Sequence, residues 1–286
     1  MKPLPIPVRV VGPGSQPEDD EPLQFLGLPS SMSTYSMPQV PEKADPRALL
    51  KTRNLLAEFA RKMAAWDGAG APRLALDGLD AATIDVLNDM LGAGEVSVRI
   101  KGEREVRIQE SVFAGVWRIL RYSAQGVLES DELEASPMPE VVTAAARAAA
   151  GHLPPAFDLP AGAMNSPALV TEIREQARRH HPGRSAHVIN LSLLPLSPED
   201  HRVLAQVLPV GPVAIISKSF GNCRVTSTGV RNVWRVQYFN SMQTMILNTI
   251  EIVDLPEVAQ ASGDDLADSR ERIDDLVSWI SESCPA

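Results

Sequence analysis

The chain has 286 residues, 44 % of them apolar and 22 % charged, ordinary values for a folded globular protein. Its 27 basic and 36 acidic residues leave a net charge of −9. That balance argues against nucleic acid or an anionic membrane as partner, because both need clustered positive charge.

Residues 1–44 are rich in Pro, Ser and acidic residues and read as an extended tail, partly polyproline. The proline-studded start and Glu18-Asp19-Asp20-Glu21 do not read as a secretory signal. Two stretches of the tail, Leu23 to Leu28 and Met32 to Met37, are apolar enough to dock on the protein's own body or on a partner. No run approaches about 18 consecutive apolar residues, so direct membrane insertion is not expected.

Beyond the tail the chain repeats itself. Leu74 to Val141 aligns without a gap on Leu191 to Val258, 117 residues later. Val116-Trp117-Arg118 matches Val233-Trp234-Arg235, Gly94 matches Gly211, and Lys101 and Arg107 match Lys218 and Arg224. A match without gaps keeps loop lengths, so both halves should fold alike. Two copies make a pseudo-dimer; a solenoid needs about three stacked units. The expected division is a tail over 1–44, a first repeat over 45–150, a linker over 151–163 and a second repeat with a C-terminal helix over 164–286.

Each repeat opens with a helix. Asp45-Pro46 and Ser166-Pro167 both read as an N-cap followed by a first-turn proline. A short strand follows, Leu74 to Leu76 or Val188 to Leu193. A second helix comes next, capped by Asp80 in one copy and by Ser197 in the other. Gly92-Ala93-Gly94 follows a helix and precedes a strand, the reverse of a dinucleotide-binding turn, and reads as a tight turn. Three alternating strands come after it, ending at Val116 to Tyr122 or Val233 to Phe239. A fourth run, Met245 to Val253, reads as a strand, whereas its acidic equivalent, Leu128 to Ala135, reads as one less well. A helix over 141–150 precedes the linker, and another over about 264–283 ends the chain. The fold class expected is α+β: two tandem αβαβββ modules forming a pseudo-dimer, each with its own small mixed or antiparallel sheet covered by helices.

No P-loop, nucleophile elbow or zinc spacing occurs, so neither a catalytic residue nor a cofactor nor a metal ligand is nominated. His180, His181 and His187 cluster in sequence, but a solvated helix end explains them better than a metal site, and Glu175 is placed to pair with Arg179. Cys223 falls inside an alternating strand as a small buried hydrophobe, and Cys284 sits near the C-terminus. Neither makes a disulfide framework or a CxxC pair, so a reducing cytoplasm is expected. Alternation places Trp117 and Trp234 on one sheet face and Arg118 and Arg235 on the other. The plain reading buries the tryptophans and pairs the arginines with carboxylates. The sharper reading makes Arg118 and Arg235, with Asn240 and Ser241, a partner-binding set.

The strings Trp234 to Ser241 and Ile246 to Val258 resemble hydrogenase expression proteins of the HupH/HyaF type. So do Asp264 to Arg272, Gln109 to Arg118, and the tail's Met32-Ser33-Thr34-Tyr35. The resemblance implies a non-enzymatic, cytoplasmic maturation chaperone for an uptake [NiFe] hydrogenase. Its implied partner is the precursor of the small, iron–sulfur subunit before twin-arginine export, with other hydrogenase accessory proteins as further partners. The competing reading is a metal- or cluster-handling accessory protein, against which two cysteines stand, because iron–sulfur clusters normally take about four thiolates.

Overall fold

The computed structural model describes residues 45–218 and 222–283. The expectations for the tail and for Cys284 lie outside the described residues. The first copy contains α1 (Pro46–Ala64), β1 (Arg73–Ala75), α2 (Ala81–Leu91), β2 (Val96–Ile100), β3 (Glu105–Glu110), β4 (Val116–Tyr122), β5 (Leu128–Ala135) and α3 (Glu140–Ala149). The second contains α4 (Ser166–Arg179), β6 (His187–Asn190), α5 (Pro198–Val207), β7 (Val210–Ser217), β8 (Asn222–Thr228), β9 (Val233–Phe239), β10 (Met245–Ile252) and α6 (Gly263–Ser283).

The expectation of two small sheets is corrected. All ten strands form one sheet in the order β1-β5-β4-β3-β2-β7-β8-β9-β10-β6, and its pairings are antiparallel. The join is β2 with β7, where Val98 faces Ile215. Those two residues are each other's repeat equivalents, so a pseudo-two-fold axis runs through that pair and each half of the sheet repeats the other outward from it. The physical reason is edge chemistry: two separate sheets would each leave an inner edge of unpaired N–H and C=O groups, and pairing the edges satisfies both.

Alternation decides what each face carries. On the first face Val98, Ile108 and Ile119 meet Ile215, Val225 and Val236 in one central core, covered by Val142 and Ala146 of α3 and by Ala259 of a short 3-10 turn. Trp117 and Trp234 sit in this core, 0 % and 2 % exposed. Their indole N–H groups donate to Ser136 O at 2.8 Å and Val253 O at 3.2 Å, again repeat equivalents. On the second face two separate cores lie at the ends of the sheet. One joins Val116 and Leu133 to α1, α2 and α6, and the other joins Val233 and Ile250 to α4 and α5.

The segments that leave each copy cross the axis. After β10 the chain returns to copy one, where Ile273 and Ile280 of α6 pack with Leu56 and Phe59 of α1. Ser269 of α6 donates its hydroxyl to Ala114 O at 2.9 Å. After α3 the linker does the same for copy two. Gly151 N–H donates to Gly229 O, Arg231 N–H donates to Gly151 O, and Leu153 joins the core of α4 and α5. The linker is thus a structural cover as well as a connection.

Local chemistry explains the boundaries that differ from expectation. Helix α4 starts one residue early, with Ser166 inside it and Asn165 at the cap position. Its first N–H groups need an acceptor, and buried Asp200 of α5 supplies one: Oδ1 accepts from Met164, Asn165 and Ser166 at 2.8–3.0 Å. The same carboxylate completes the capping box with Ser197. Burial alone would raise the Asp200 pKa, but these donors hold it well below the usual range. The acidic run Leu128–Ala135 is a full eight-residue strand. Its charges are matched by arginines across the sheet: Asp131 by Arg118, Glu132 by Arg121 and Glu134 by Arg73. After His187–Asn190 the chain turns into a 3-10 segment, Leu191–Leu193, instead of continuing as strand.

Two glycine positions show why the repeat keeps them. A Cβ on Gly94 would lie 2.2 Å from Ser111 O, and one on its equivalent Gly211 would lie 2.4 Å from Ser227 Oγ. The strand that follows each helix can therefore approach its neighbour only through glycine.

Candidate functional site

Among the described residues, the second face of the four central strands lies between the two helix groups and is the least covered part of the sheet. First-face residues there are buried, whereas Arg99, Arg107, Ala214, Ile216, Arg224 and Thr226 on the second face are half-buried or exposed. Two cross-strand rows form this floor. One runs Leu120, Arg107, Arg99, Ala214, Thr226, Arg235, and the other runs Arg118, Gln109, Ser97, Ile216, Arg224, Gln237. The pseudo-axis carries one row onto the other, so Arg107 superposes on Arg224 and Arg118 on Arg235. The two rows carry five arginines, with Glu105 at the margin beside Arg99 and Arg107 and Asp131 beside Arg118.

Each half has an arginine stacked on an aromatic ring. The Arg107 guanidinium lies 4.7 Å from the Tyr122 ring centroid, and Arg224 lies 4.5 Å from the Phe239 centroid. Both arginines and both rings are repeat equivalents. The ring faces are electron-rich, so they hold the guanidinium in place without neutralising it. The gapless repeat matches Arg107 with Arg224 but does not by itself show the stacking. The signal was available: alternation puts residues 118, 120 and 122 on one face, with 235, 237 and 239 in the other copy.

The expected partner-binding set divides. Arg118 and Arg235 occupy dyad-related places on the floor. Arg118 makes a bidentate pair with Asp131, at 2.6 and 3.0 Å, and also meets Asn88. Arg235 donates to Asn248 Oδ1 at 3.1 Å, where Asn248 is the equivalent of Asp131. Asn240 and Ser241 instead sit in the turn between β9 and β10, five residues or roughly 17 Å of strand from Arg235. The Asn240 side chain accepts from Met242 and Thr244 N–H groups at 2.9 Å, so it shapes the turn.

Around the floor, Arg107 and Arg99 hold the Glu105 carboxyl below its ordinary range. Under α6, Glu110 is buried and pushed up to about 7, chiefly by burial, with Glu95 and Asp265 adding repulsion. Its Oε1 accepts the Gly115 N–H at 3.0 Å. Cys223 is fully buried, and burial pushes its thiol up to about 11.

The three histidines point to separate partners. His180 Nε2 is 3.1 Å from Asp254, His187 Nε2 is 2.7 Å from Glu172, and His181 Nδ1 is 3.3 Å from Pro182 O. Among the described residues no three His, Cys, Asp or Glu side chains gather as a metal site. Arg179 pairs with Glu175 at 2.7 Å. No helix among the described residues is long and apolar enough to cross a membrane.

The sequence profile of the HupH hydrogenase expression protein, C-terminal conserved region, matches residues 49–151 and 163–280, one segment in each repeat. The chain belongs to this family. It is 43 % identical to the hydrogenase expression/formation protein HoxQ of Cupriavidus necator, over 98 % of this chain and 99 % of that one. It is 41 % identical to HupH of Rhodobacter capsulatus over 94 % and 95 %, and 31 % identical to the hydrogenase-1 operon protein HyaF of Escherichia coli over 97 % and 98 %. The solved HupH of Thiobacillus denitrificans matches with a TM-score of 0.37 at 26 % identity, over 40 % of this chain and 95 % of that one. Family membership places the chain in hydrogenase maturation.

Proposed function

We propose that this chain is a cytoplasmic, non-enzymatic maturation chaperone for an uptake [NiFe] hydrogenase. It holds the precursor of the small, iron–sulfur subunit before twin-arginine export. Its near full-length likeness to hydrogenase expression/formation proteins supports the assembly role. The observation that carries the binding reading is the dyad-related pair of stacked arginines on a half-open sheet face, since fixed Arg and aromatic groups are typical interface anchors. A floor with five arginines repels an Arg-Arg leader, so it favours the body of the subunit as its occupant.

The test is a pull-down from hydrogenase-expressing cells with this chain as bait, using the small subunit with and without its leader. Capture of both forms, weakened by Arg107→Glu with Arg224→Glu, is the expected result. Capture of the leader-bearing form alone would move the site off the floor. A deletion strain should accumulate unprocessed small subunit while the large subunit still acquires its metal centre; normal small-subunit processing there would sink the chaperone reading.

A further inference from the structure

We infer that the outer edge of copy two is a strand-addition site: β6 takes an extended segment of another polypeptide, in which a lysine or arginine lies between apolar residues, and seats that cation beside Glu251. The two ends of the sheet supply the first argument. In copy one Arg73 of edge strand β1 faces Glu134 and pairs with it at 2.8 Å. Glu251 is the repeat equivalent of Glu134, but the residue of β6 that faces it is Val188. Among the described residues Glu251 forms no ion pair; its Oε1 accepts the Thr249 hydroxyl at 3.3 Å. Burial pushes this carboxyl above its ordinary range, the Thr249 hydroxyl opposes that, and Glu257 adds repulsion. Attraction to a neighbouring cation counters both the burial and the repulsion.

The second argument is the backbone. Ala135 N–H donates to Pro72 O and Leu76 N–H to Asp131 O, so the alternate residues Arg73 and Ala75 turn their N–H and C=O groups outward. Pro72 stands at the start of that edge, and Lys62 Nζ donates to Arg73 O at 3.0 Å, which together blunt it. Strand β6 keeps the same register against β10, so Val188 turns its N–H and C=O outward too. No described strand lies beyond β6, no proline stands in it, and Val188 is 52 % exposed.

The third argument concerns the neighbours of the cation. Glu129 in copy one pairs with Arg104, whereas its equivalent Ile246 is the extra residue of a β10 bulge and is exposed. Exposed Leu193 stands in the turn that leaves β6, which is tied to β10 where Ser192 Oγ accepts the Asn248 N–H at 2.8 Å. At Val188 and Ile246, copy two thus shows apolar groups where copy one shows ion pairs. A strand added about 4.8 Å outside β6 would lay the stem of its lysine or arginine along Val188 with the charged head toward Glu251, and set its apolar residues near Leu193 and Ile246. Glu251 shares the first face with Trp234, opposite the arginine floor, so the site does not rest on the function proposed above.

The probe is a phage-displayed library of random linear peptides, panned on the full chain. Enriched peptides should carry a lysine or arginine with apolar residues on both sides. By fluorescence anisotropy, Glu251→Gln should weaken a synthetic enriched peptide about tenfold. Replacing the peptide's cation by norleucine should weaken it as much on the unaltered chain and little on the Glu251→Gln chain. Val188→Pro removes an outward N–H and leaves the pairing with β10, so it should abolish binding while circular dichroism stays that of the unaltered chain. Glu251→Gln keeps the side-chain shape, so it tests the site even if the proline variant unfolds. No enriched peptide, enriched peptides without a cation, or binding indifferent to Glu251→Gln would each overturn the proposal. So would a dimer in gel filtration that Val188→Pro dissolves, since the edge would then belong to a second copy of the chain. No hydrogenase enters these measurements, so failure here is separable from failure of the chaperone reading.

Discussion

The two copies share a backbone and differ in how they hold charge. In copy one Asp131 clamps Arg118, Glu105 holds both Arg99 and Arg107, and Glu134 meets Arg73 at 2.8 Å. The equivalent positions of Asp131 and Glu105 in copy two are Asn248 and Asn222, and Arg235 is held by an amide oxygen. The Arg-ring stacks and both buried tryptophans are the same in both. Duplication has thus kept what packs, and Arg107 and Arg118 with it, and varied two of the carboxylates that meet them. Copy one fixes its arginines as ion pairs, whereas copy two carries asparagines at the positions of Asp131 and Glu105. The covers differ as well: a 21-residue helix lies on copy one, whereas the linker lies on copy two.

The symmetric core should answer symmetrically. Trp117→Ala and Trp234→Ala each remove a fully buried indole and orphan one carbonyl, at a cost of about 3–5 kcal/mol. Urea denaturation of the two variants should give matching losses. A difference above roughly 1.5 kcal/mol would show that the central core is not shared evenly across the axis.

The covers should answer asymmetrically. Gly115 and its equivalent Asn232 both have left-handed backbone, at φ 75° and 59°. A Cβ on Gly115 would meet Leu266 Cδ2 of α6 at 2.4 Å. Gly115→Ala therefore combines backbone strain with overpacking, about 2–4 kcal/mol together. Asn232→Ala carries backbone strain alone, about 1 kcal/mol. Adding Leu266→Ala to Gly115→Ala should recover part of the loss in a thermal melt. No recovery would mean that α6 does not set the need for glycine there.

These contrasts mark what the sequence could and could not reveal. The tryptophan core was legible because period-two alternation and the gapless repeat agree on the same residues. The helix caps at Asp45, Asp80 and Ser197 were legible because capping is local chemistry. The β2–β7 join was not, because edges pair through backbone groups that every residue carries. Strand β5 read poorly because Asp131, Glu132 and Glu134 look solvent-bound until Arg118, Arg121 and Arg73 are placed beside them. Asp200 serves two helices at once across 34 residues, and no local pattern announces that. Of the candidate site, Arg118 and Arg235 were nominated by the repeated Trp-Arg pair, whereas the stacks needed alternation to be followed four residues further along each strand, to Tyr122 and Phe239.

Charge gives the next contrast. Glu110 in copy one corresponds to Ser227 in copy two, which cannot titrate. The folded-state pKa of Glu110 is raised from 4.5 to about 7. Between those values the folded chain binds more protons than the unfolded one, so stability falls as pH rises from about 4.5 to 7. The loss is complete above 7 and amounts to at most roughly 3 kcal/mol. Burial raises Glu251 as well, so the unaltered chain sums both slopes. Glu110→Gln should flatten its share of the fall, which a series of melts at pH 5, 6 and 7 would show. An unchanged slope would place the proton uptake elsewhere.

The smallest expected effect bears most directly on the floor. Arg118→Ala leaves Asp131, whose side chain is 7 % exposed, without its bidentate donor. The cost should be about 1.5–3 kcal/mol, and Asp131→Asn in the same chain should recover much of it. Arg235→Ala removes a charged donor from a neutral amide oxygen, and about 0.5–1.5 kcal/mol is expected. Stability and client capture should therefore separate. Arg118 acts first on the fold, because its loss leaves a buried carboxylate without a bidentate donor, whereas the residue equivalent to that carboxylate beside Arg235 is the neutral Asn248, so capture is the more direct readout for Arg235. Equal losses of stability in the two variants, with capture reduced in neither, would mean that both arginines are structural. The floor's recognition would then rest on the stacked pair, Arg107 and Arg224.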